Sequence, residues 1–462
     1  MFIGRQSELA ELNELYFSDR FQCVIIYGRR RVGKTTLISE FIKDKPSLFF
    51  AAKENNSDSM REEFCSKMYG ALDVPDVGML DSWQSVFQFL GKETKDKRLV
   101  LVIDEFPYLA RADKEIKSVL QNVIDHCLKE TKLFLILCGS QVSFMEKEVL
   151  GYNSPLYGRR TAQIKVEPFS FLECKEFFPH YTIEEQIEAY CVLGGIPLYL
   201  SQFSDKLTIE ENIKKNILKR YSYLYEEPKN LLKQELREPM NYNSIIEAIA
   251  TGATTLNNIV GKSKITADHC SRYLKTLIDL LLVEREIPVG EAVTSRRGIY
   301  KIQDLFFKFW YSFVFPNSSE LELGMVDDIY EEEILPGLSK YYGQAFEVIC
   351  HQHFVNELKN HRLPFRFSKI GRWWGNNPVL KQQEEIDLYA EGKEGVYLGE
   401  CKWRHEATDK KVLDNLKRRG DELFPDKNKV YVLYSKSGFS AEVKTIAAAD
   451  PGIRLYELKD FL

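Results

Sequence analysis

One stretch constrains this chain more than any other: Gly28-Arg29-Arg30-Arg31-Val32-Gly33-Lys34-Thr35. It follows the apolar run FQCVII at 21–26, whose β-branched members predict a short, buried parallel strand. After it, Leu37, Ile38, Phe41 and Ile42 recur at helical spacing. Glycine permits the backbone angles and the close approach that a tight strand-to-helix loop demands. Successive N–H groups of such a loop converge on one point, and the helix N-terminus adds a dipole that favours an anion. Strand, Gly-x-x-x-x-Gly-Lys-Thr, helix is the context of a phosphate-binding P-loop. Gly28, Gly33, Lys34, Thr35 and Thr36 are therefore the expected cradle. Lys34 is expected to reach the β and γ phosphates, and the Thr35 hydroxyl to sit on magnesium, a cation that prefers hard oxygen ligands. The expected ligand is a nucleoside triphosphate, ATP with Mg2+.

Such a loop needs acids to work with. Leu99–Ile103 form a second buried run that ends in Asp104 and Glu105. Ligands of parallel sheets bind at the carboxyl ends of the strands. There Asp104 is expected to hold the magnesium through its water shell, and Glu105 to act as general base on the attacking water. A third run, Leu133–Cys138, ends in Gly139, Ser140 and Gln141. Ser140 and Gln141 are both candidates for sensing the γ-phosphate or orienting water, and a plain strand-end turn is the alternative.

The chain is long enough, at 462 residues, for about three domains. A net charge of −5 argues against a chain coated in DNA-binding charge, though not against a local basic groove. The apolar stretches are too short to span a bilayer and no signal-peptide core is visible, so no membrane partner is expected and the default location is the cytoplasm. Nine cysteines without CxxC spacing read as reduced, buried thiols.

Several blocks resemble the archaeal-type family of AAA P-loop ATPases, which also occurs in bacteria. They are Phe2-Ile3-Gly4-Arg5 with Glu8, the P-loop, IDEF at 103–106, GSQ at 139–141, Arg159-Arg160 followed by Pro168, and Gly194-Gly195-Ile196-Pro197. The resemblance implies that Phe2–Arg5 line the adenine side. It implies that Arg159 or Arg160 serves the γ-phosphate, in cis or from a neighbouring copy, which leaves a homo-oligomer open. It also places Gly195 and Pro197 in a helical lid.

Residues 166–235 read as that lid, with Tyr190, Tyr199, Tyr221, Tyr223 and Tyr225 expected to pack within it. Helical patterns at 245–250, 255–260 and 266–283, followed by 286–290 and 295–302, resemble a winged helix-turn-helix. On its third helix His269, Arg272 and Lys275 share a face. DNA binding and a structural or protein-contact role both stand open for it. The aromatic stretch 304–315 reads as a buried helix, and 316–328 as a linker.

At the C-terminal end a helix at 341–356 carries Glu347, a strand at 385–389 carries Asp387, and a strand at 396–403 carries Glu400 and Lys402. Glu400 and Lys402, two apart, point to one face. A four-residue loop between paired positions puts Asp387 opposite Leu398 and on that same face, whereas a five-residue loop without a bulge turns it away. Asp387 and Glu400 would then be metal ligands, Lys402 would stabilise phosphoryl charge, and Glu347 would complete the site. Glu347, Asp387 and Glu400-x-Lys402, with GRWWG at 371–375, resemble the PD-(D/E)xK nuclease superfamily. The basic residues Arg404, Lys410, Lys411, Lys417, Arg418 and Arg419 read either as a track for a phosphate backbone or as a solvated helix face.

The sequence thus predicts an α/β chain: a P-loop NTPase core with a parallel sheet at 1–165, a lid at 166–235, a winged helix-turn-helix at 236–315 and a restriction-endonuclease-like domain at 316–462. The expected function is an ATP-regulated DNA-processing enzyme. The alternative is an ATP-driven signalling or assembly switch whose C-terminal domain binds without cleaving.

Overall fold

The three apolar runs and two segments of mixed pattern become the strands of one sheet: β1 Gln22–Tyr27, β2 Ser47–Ala51, β3 Leu99–Asp104, β4 Leu133–Gly139 and β5 Ala162–Lys165. The computed structural model describes residues 2–461. The strand order is β2-β3-β4-β1-β5, and every pairing is parallel. Every residue of β1, β3 and β4 is buried, as central strands between two helical layers must be. Because the strands run one way, Tyr27, Asp104 and Gly139 end along one edge, and the P-loop helix Lys34–Ile42 starts there. A core of Phe50, Phe64, Trp83 and Phe87 fills one side of the sheet.

The chain divides into two compact units. One runs to Pro168 and takes in Ile196–Leu198; the other comprises Phe169–Gly195 and the chain from Tyr199 onward. The second unit opens with helices that include Ile183–Leu193 and Tyr223–Glu235. Three more, Pro239–Ala250, Leu256–Ser263 and Ala267–Asp279, precede a two-stranded antiparallel ribbon, β6 Val283–Glu286 and β7 Ile299–Ile302. The third helix is shorter than its apolar pattern predicts. It stops at Asp279, and the left-handed Leu281 (φ 57°) turns the chain so that Val283 joins the ribbon.

The aromatic stretch is the expected buried helical segment, Leu305–Phe309 continuing as one π-helical turn over Trp310–Val314. Trp310 Nε1 donates to the Tyr225 carbonyl at 2.9 Å, and Tyr311 donates to Asn243 at 2.7 Å. The expected linker at 316–328 is instead largely helical, at Ser318–Glu322 and Val326–Ile329, because Leu321 and Ile329 find apolar cover.

Helix Leu335–Lys359 then packs on a mixed sheet of β8 Lys369–Asn376, β9 Gln383–Glu391, β10 Val396–Lys402, β11 Lys429–Ser435 and β12 Ile453–Glu457. The order is β12-β11-β10-β9-β8. The first three strands in sequence pair antiparallel. The last two add in parallel after the helices Lys410–Leu423 and Ala441–Ala449.

Gly195 gives this second unit a sharp mechanical test. The Phe169 N–H donates to its carbonyl at 2.7 Å, and a Cβ on Gly195 would lie 1.8 Å from the Phe169 oxygen. Gly195→Ala must push two backbone segments apart and is expected to cost about 3 kcal/mol, the upper range for forced overpacking. Gly261, inside the helix Leu256–Ser263, meets nothing within 4 Å. Gly261→Ala is expected to stabilise by up to about 1 kcal/mol through helix propensity. Urea midpoints of the two variants should move in opposite directions.

Candidate functional site

The P-loop takes its shape from two glycines. A Cβ on Gly28 would lie 2.2 Å from the Val166 carbonyl oxygen, so only glycine lets the loop pass under that segment. Gly33 sits at φ 89°, a left-handed value that favours glycine, and caps helix Lys34–Ile42. Pro197 Cγ would be 3.7 Å from a Cβ on Gly33, so the Gly-Gly-Ile-Pro segment brings its proline to the loop. Arg5 is buried beside it and donates to the Val32 carbonyl at 3.2 Å and the Glu167 carbonyl at 2.5 Å. The opening Phe-Ile-Gly-Arg segment therefore anchors at the P-loop.

Lys34 is buried, and its Nζ donates to the carbonyls of Gly28 at 2.9 Å and Arg29 at 3.0 Å. Burial lowers its pKa, while the charges of Glu105 and Asp104 act in the opposite sense. Thr35 Oγ1 donates to Asp104 Oδ2 at 3.2 Å, which joins the helix start to the β3 end across the sheet edge. Glu105 holds a left-handed backbone (φ 52°) just past β3, and its N–H donates to Asp104 Oδ1 at 2.9 Å. Its Oε2 accepts from Ser140 Oγ at 2.9 Å. Strain of about 1–3 kcal/mol at a non-glycine residue persists where the surroundings over-determine it, and such positions cluster at working sites.

Of the two sensor candidates, Ser140 touches Glu105, whereas Gln141 accepts from Arg111. Thr36 follows Thr35 on the first turn of the P-loop helix. The two arginines are not free side chains. Arg159 donates to Asp125 Oδ2 from Nη2 at 2.7 Å and from Nε at 3.2 Å, and this pairing pulls the Asp125 carboxyl down to about 2. The Arg160 guanidinium lies over the Tyr157 ring at 5.6 Å.

A second cluster forms in the C-terminal sheet. The β9–β10 turn is four residues long, 392–395, between the paired Glu391 and Val396. Leu398 pairs with Tyr389 and Gly399 with Leu388, so Asp387 comes next in line with Glu400. The expected partner, Leu398, is thus two residues off. The shared face is kept, because a two-residue shift preserves side-chain parity.

Lys402 Nζ lies 2.5 Å from Glu400 Oε1 and 3.6 Å from Asp387 Oδ2, and all three side chains are largely buried. The Cys401 N–H donates to Asp387 Oδ2 at 3.0 Å. Glu347 projects from its helix toward Arg372, whose Nε stands 3.5 Å from Glu347 Oε2. Burial, then the charge of Asp387, pushes the Glu347 carboxyl up to about 7. Glu400 is raised by the same two causes. Burial works against the Lys402 cation, but the two carboxylates outweigh it and hold its pKa above the usual value. Among the described residues, no group of three or more His, Cys, Asp and Glu is gathered closely enough to hold a metal ion. Cys350, His351 and His353 form no metal site either: His351 Nε2 hydrogen-bonds to the Asp387 carbonyl and His353 Nδ1 to Tyr434.

A profile of the ATPase domain found predominantly in Archaea matches residues 2–203, which include the P-loop, both acids and the Gly-Gly-Ile-Pro segment. A second profile, of archaeal and bacterial proteins of unknown function, matches 310–413 and spans Glu347, Asp387, Glu400 and Lys402. An uncharacterized protein of Methanocaldococcus jannaschii is 35% identical over all of this chain and all of its own length. The chain belongs to this archaeal-type ATPase family. An ATP-binding protein of Pyrococcus abyssi is 24% identical over 52% of the chain and 81% of its own length. Among solved structures, a Walker-type ATPase of Pyrococcus abyssi is 22% identical, with a TM-score of 0.48, over 67% of this chain and 96% of that one.

In this archaeal-type ATPase chain, three arginine arrangements escape the sequence reading. Arg372, in the Gly-Arg-Trp-Trp-Gly segment, reaches Glu286 at 3.0 Å and also pairs with Glu385. Arg419 reaches Glu400 at 2.9 Å and Glu384 at 3.0 Å. Arg418 reaches Glu384 at 2.9 Å. With Lys410 on Glu442 and Lys417 on Asp450, the helix read as a phosphate track is mostly engaged in ion pairs. Its amphipathic pattern is plain in sequence, but the partners lie on β9, on β10 and along the helix Ala441–Ala449 with its C-cap Asp450.

Proposed function

We propose that the chain binds and hydrolyses ATP at Gly28–Thr35, and that this cycle governs a DNA-processing C-terminal domain of PD-(D/E)xK type. The observation that carries the first half is the 3.2 Å contact between Thr35 and Asp104, with Glu105 beside it held by Ser140. A triphosphate would draw the Lys34 ammonium off the loop carbonyls and onto its β and γ oxygens. Glu105 would take the proton of the attacking water, with Ser140 fixing its carboxylate. Thr35 and Asp104 supply the hard oxygens that suit Mg2+, which when bound neutralises phosphate charge. Pre-placed charge and donors, with no new bond to the protein, are what phosphoryl transfer requires.

The second half rests on Lys402 standing between Asp387 and Glu400. Two carboxylates already share one cation there, and Mg2+ is commonly bound by one or two carboxylates together with substrate phosphate. Lys402 would then meet the charge that grows on a phosphodiester. The helix, the β8–β10 antiparallel strands and the following crossover keep the order that the resemblance implies. Three helices and the β6–β7 ribbon fit a winged helix-turn-helix, with His269, Arg272 and Lys275 all exposed on its last helix. A second reading, a switch whose C-terminal domain binds without cutting, is favoured by the lack of a three-donor metal cluster among the described residues.

Phosphate release and nicking of labelled DNA, both with Mg2+, separate the readings. The native chain is expected to do both. Lys34→Ala is expected to lose phosphate release. Asp387→Asn, which removes one of two crowded charges at constant volume, is expected to lose only cleavage. ATP hydrolysis without cleavage of any single- or double-stranded substrate would retire the nuclease half and leave the switch.

A further inference from the structure

The tyrosines of the lid divide in a way that a packing role does not explain. Tyr190, Tyr199 and Tyr225 are buried, but Tyr221 is 87% exposed and Tyr223 45%. Both line a groove of 490 Å3. Its near wall is the π-helical turn Lys214–Leu218 and the short turn that links it to helix Tyr223–Glu235. That wall carries Lys215, Lys219 and Arg220, all exposed, and none is in an ion pair among the described residues. The far wall is apolar, made by Leu321, Gly324 and Val326.

Three features make this a place for an anion with a flat ring attached. Lys215 lies on the π-helical turn and Lys219 directly follows it, and both line the groove. Helix Tyr223–Glu235, 13 residues long, points its N-terminus into the groove, and its N-cap Ser222 makes no side-chain capping bond. The Ser222 hydroxyl is a buried oxygen without a hydrogen-bond partner. Beside these charges Tyr221 holds an open ring face, with the Arg220 guanidinium 4.7 Å from its centroid. The nearby acids are engaged elsewhere: Asp327 and Glu331 pair with Lys214, and Glu226 with Lys229. Glu322 remains as a local brake on anion binding, close enough to influence Tyr225.

We propose that this groove binds single-stranded nucleic acid, with Lys215, Lys219 and Arg220 on the phosphates and Tyr221 and Tyr223 against the bases. Cations beside exposed aromatic faces are the recurring design for unpaired strands, because every base offers a ring face once it leaves the stack. A duplex keeps its bases stacked and offers nothing to the tyrosines. The groove shares no residue with the P-loop or the Lys402 cluster, so the proposal stands or falls independently of the proposed catalysis.

The test is fluorescence polarisation of the full chain with a labelled oligo-dT strand, with duplex DNA and anionic phosphatidylserine vesicles as competitors. Lys215→Ala with Lys219→Ala is expected to weaken binding at least 10-fold and to flatten the salt dependence by about two phosphates' worth. Tyr221→Ala is expected to weaken it about 5- to 100-fold, while Tyr221→Phe keeps the native affinity. Photocrosslinking should place the strand on the 215–223 segment. These side chains are on the surface, so unchanged melting confirms that each variant is folded. Native-like binding by the lysine variant, crosslinks elsewhere, no binding by the native chain, or displacement by vesicles but not by competing single strands would each overturn the proposal.

Discussion

Glu105→Gln is expected to keep nucleotide and lose turnover. The substitution preserves the volume and the contact with Ser140 Oγ, now 2.9 Å from a carboxylate oxygen, but it removes the carboxylate proposed to accept a proton from water. A positioned general base contributes about 10²–10⁴-fold, so phosphate release should fall by that factor while the affinity for a fluorescent ATP analogue stays within a few-fold. Lys34→Ala should show the opposite emphasis, with affinity falling first, because the buried ammonium is the loop's own counter-charge. Ser140→Ala should fall between the two. It leaves Glu105 in its left-handed backbone but frees its carboxylate, so turnover drops about 10-fold with binding intact. A Glu105→Gln chain that turns over ATP at the native rate would move the base elsewhere.

The parts of this site that are legible in sequence are those fixed by backbone chemistry. A loop that must wrap a phosphate can be built from few residue types, and β1, β3 and β4 are buried on both faces, so each is a continuous apolar run. β2 and β5 are partly exposed, at Ser47, Phe49, Ala162 and Gln163 among others, and their mixed patterns do not stand out. Pro316, Asn317 and Gly324 look like a linker in sequence, yet Leu321 and Ile329 gain enough buried area to set up helices between them. Local composition predicts the break, and tertiary cover overrules it.

In the C-terminal domain the face of Asp387 is legible because strand parity is binary, while its partner depends on where the turn closes. That point shifts by a residue on each strand without changing the face. Ion-pair partners are the least legible of all. Arg159 finds Asp125 34 residues away, and Arg419 finds Glu400 19 residues away. No periodicity links them, since only the packed helices and strands bring them together. The lid tyrosines make the same point: one composition served packing at Tyr199 and Tyr225 and open surface at Tyr221, and burial alone distinguishes them.

Lys402→Met should destabilise the chain by about 3 kcal/mol at pH 8 in the presence of a chelator, and by far less at pH 5. The lysine stem is apolar and methionine replaces most of it, so the lost quantity is charge. The Lys402 side chain is 17% exposed and that of Glu400 12%, so the pair lies in a poorly solvated place. Removing one partner of a buried pair leaves an uncompensated charge, which costs about 3–5 kcal/mol when solvent is fully excluded. The pH dependence follows from the carboxyls left behind. Glu400 is already raised by burial and by Asp387, and Glu347 stands at about 7 against an ordinary 4.5. A carboxyl raised in the folded state keeps its proton where the unfolded chain has lost it, so its contribution falls as pH rises through that window. Without Lys402 the window widens upward. At pH 5 Glu347 holds its proton and the missing cation matters less, whereas at pH 8 Glu347 adds its charge to the cluster. Adding Glu400→Gln to Lys402→Met should recover part of the loss at pH 8, because one of the three crowded carboxyls is then neutral. Urea midpoints at the two pH values measure all of this, and an equal loss at both would mean that Lys402 contributes through its stem and not through its charge.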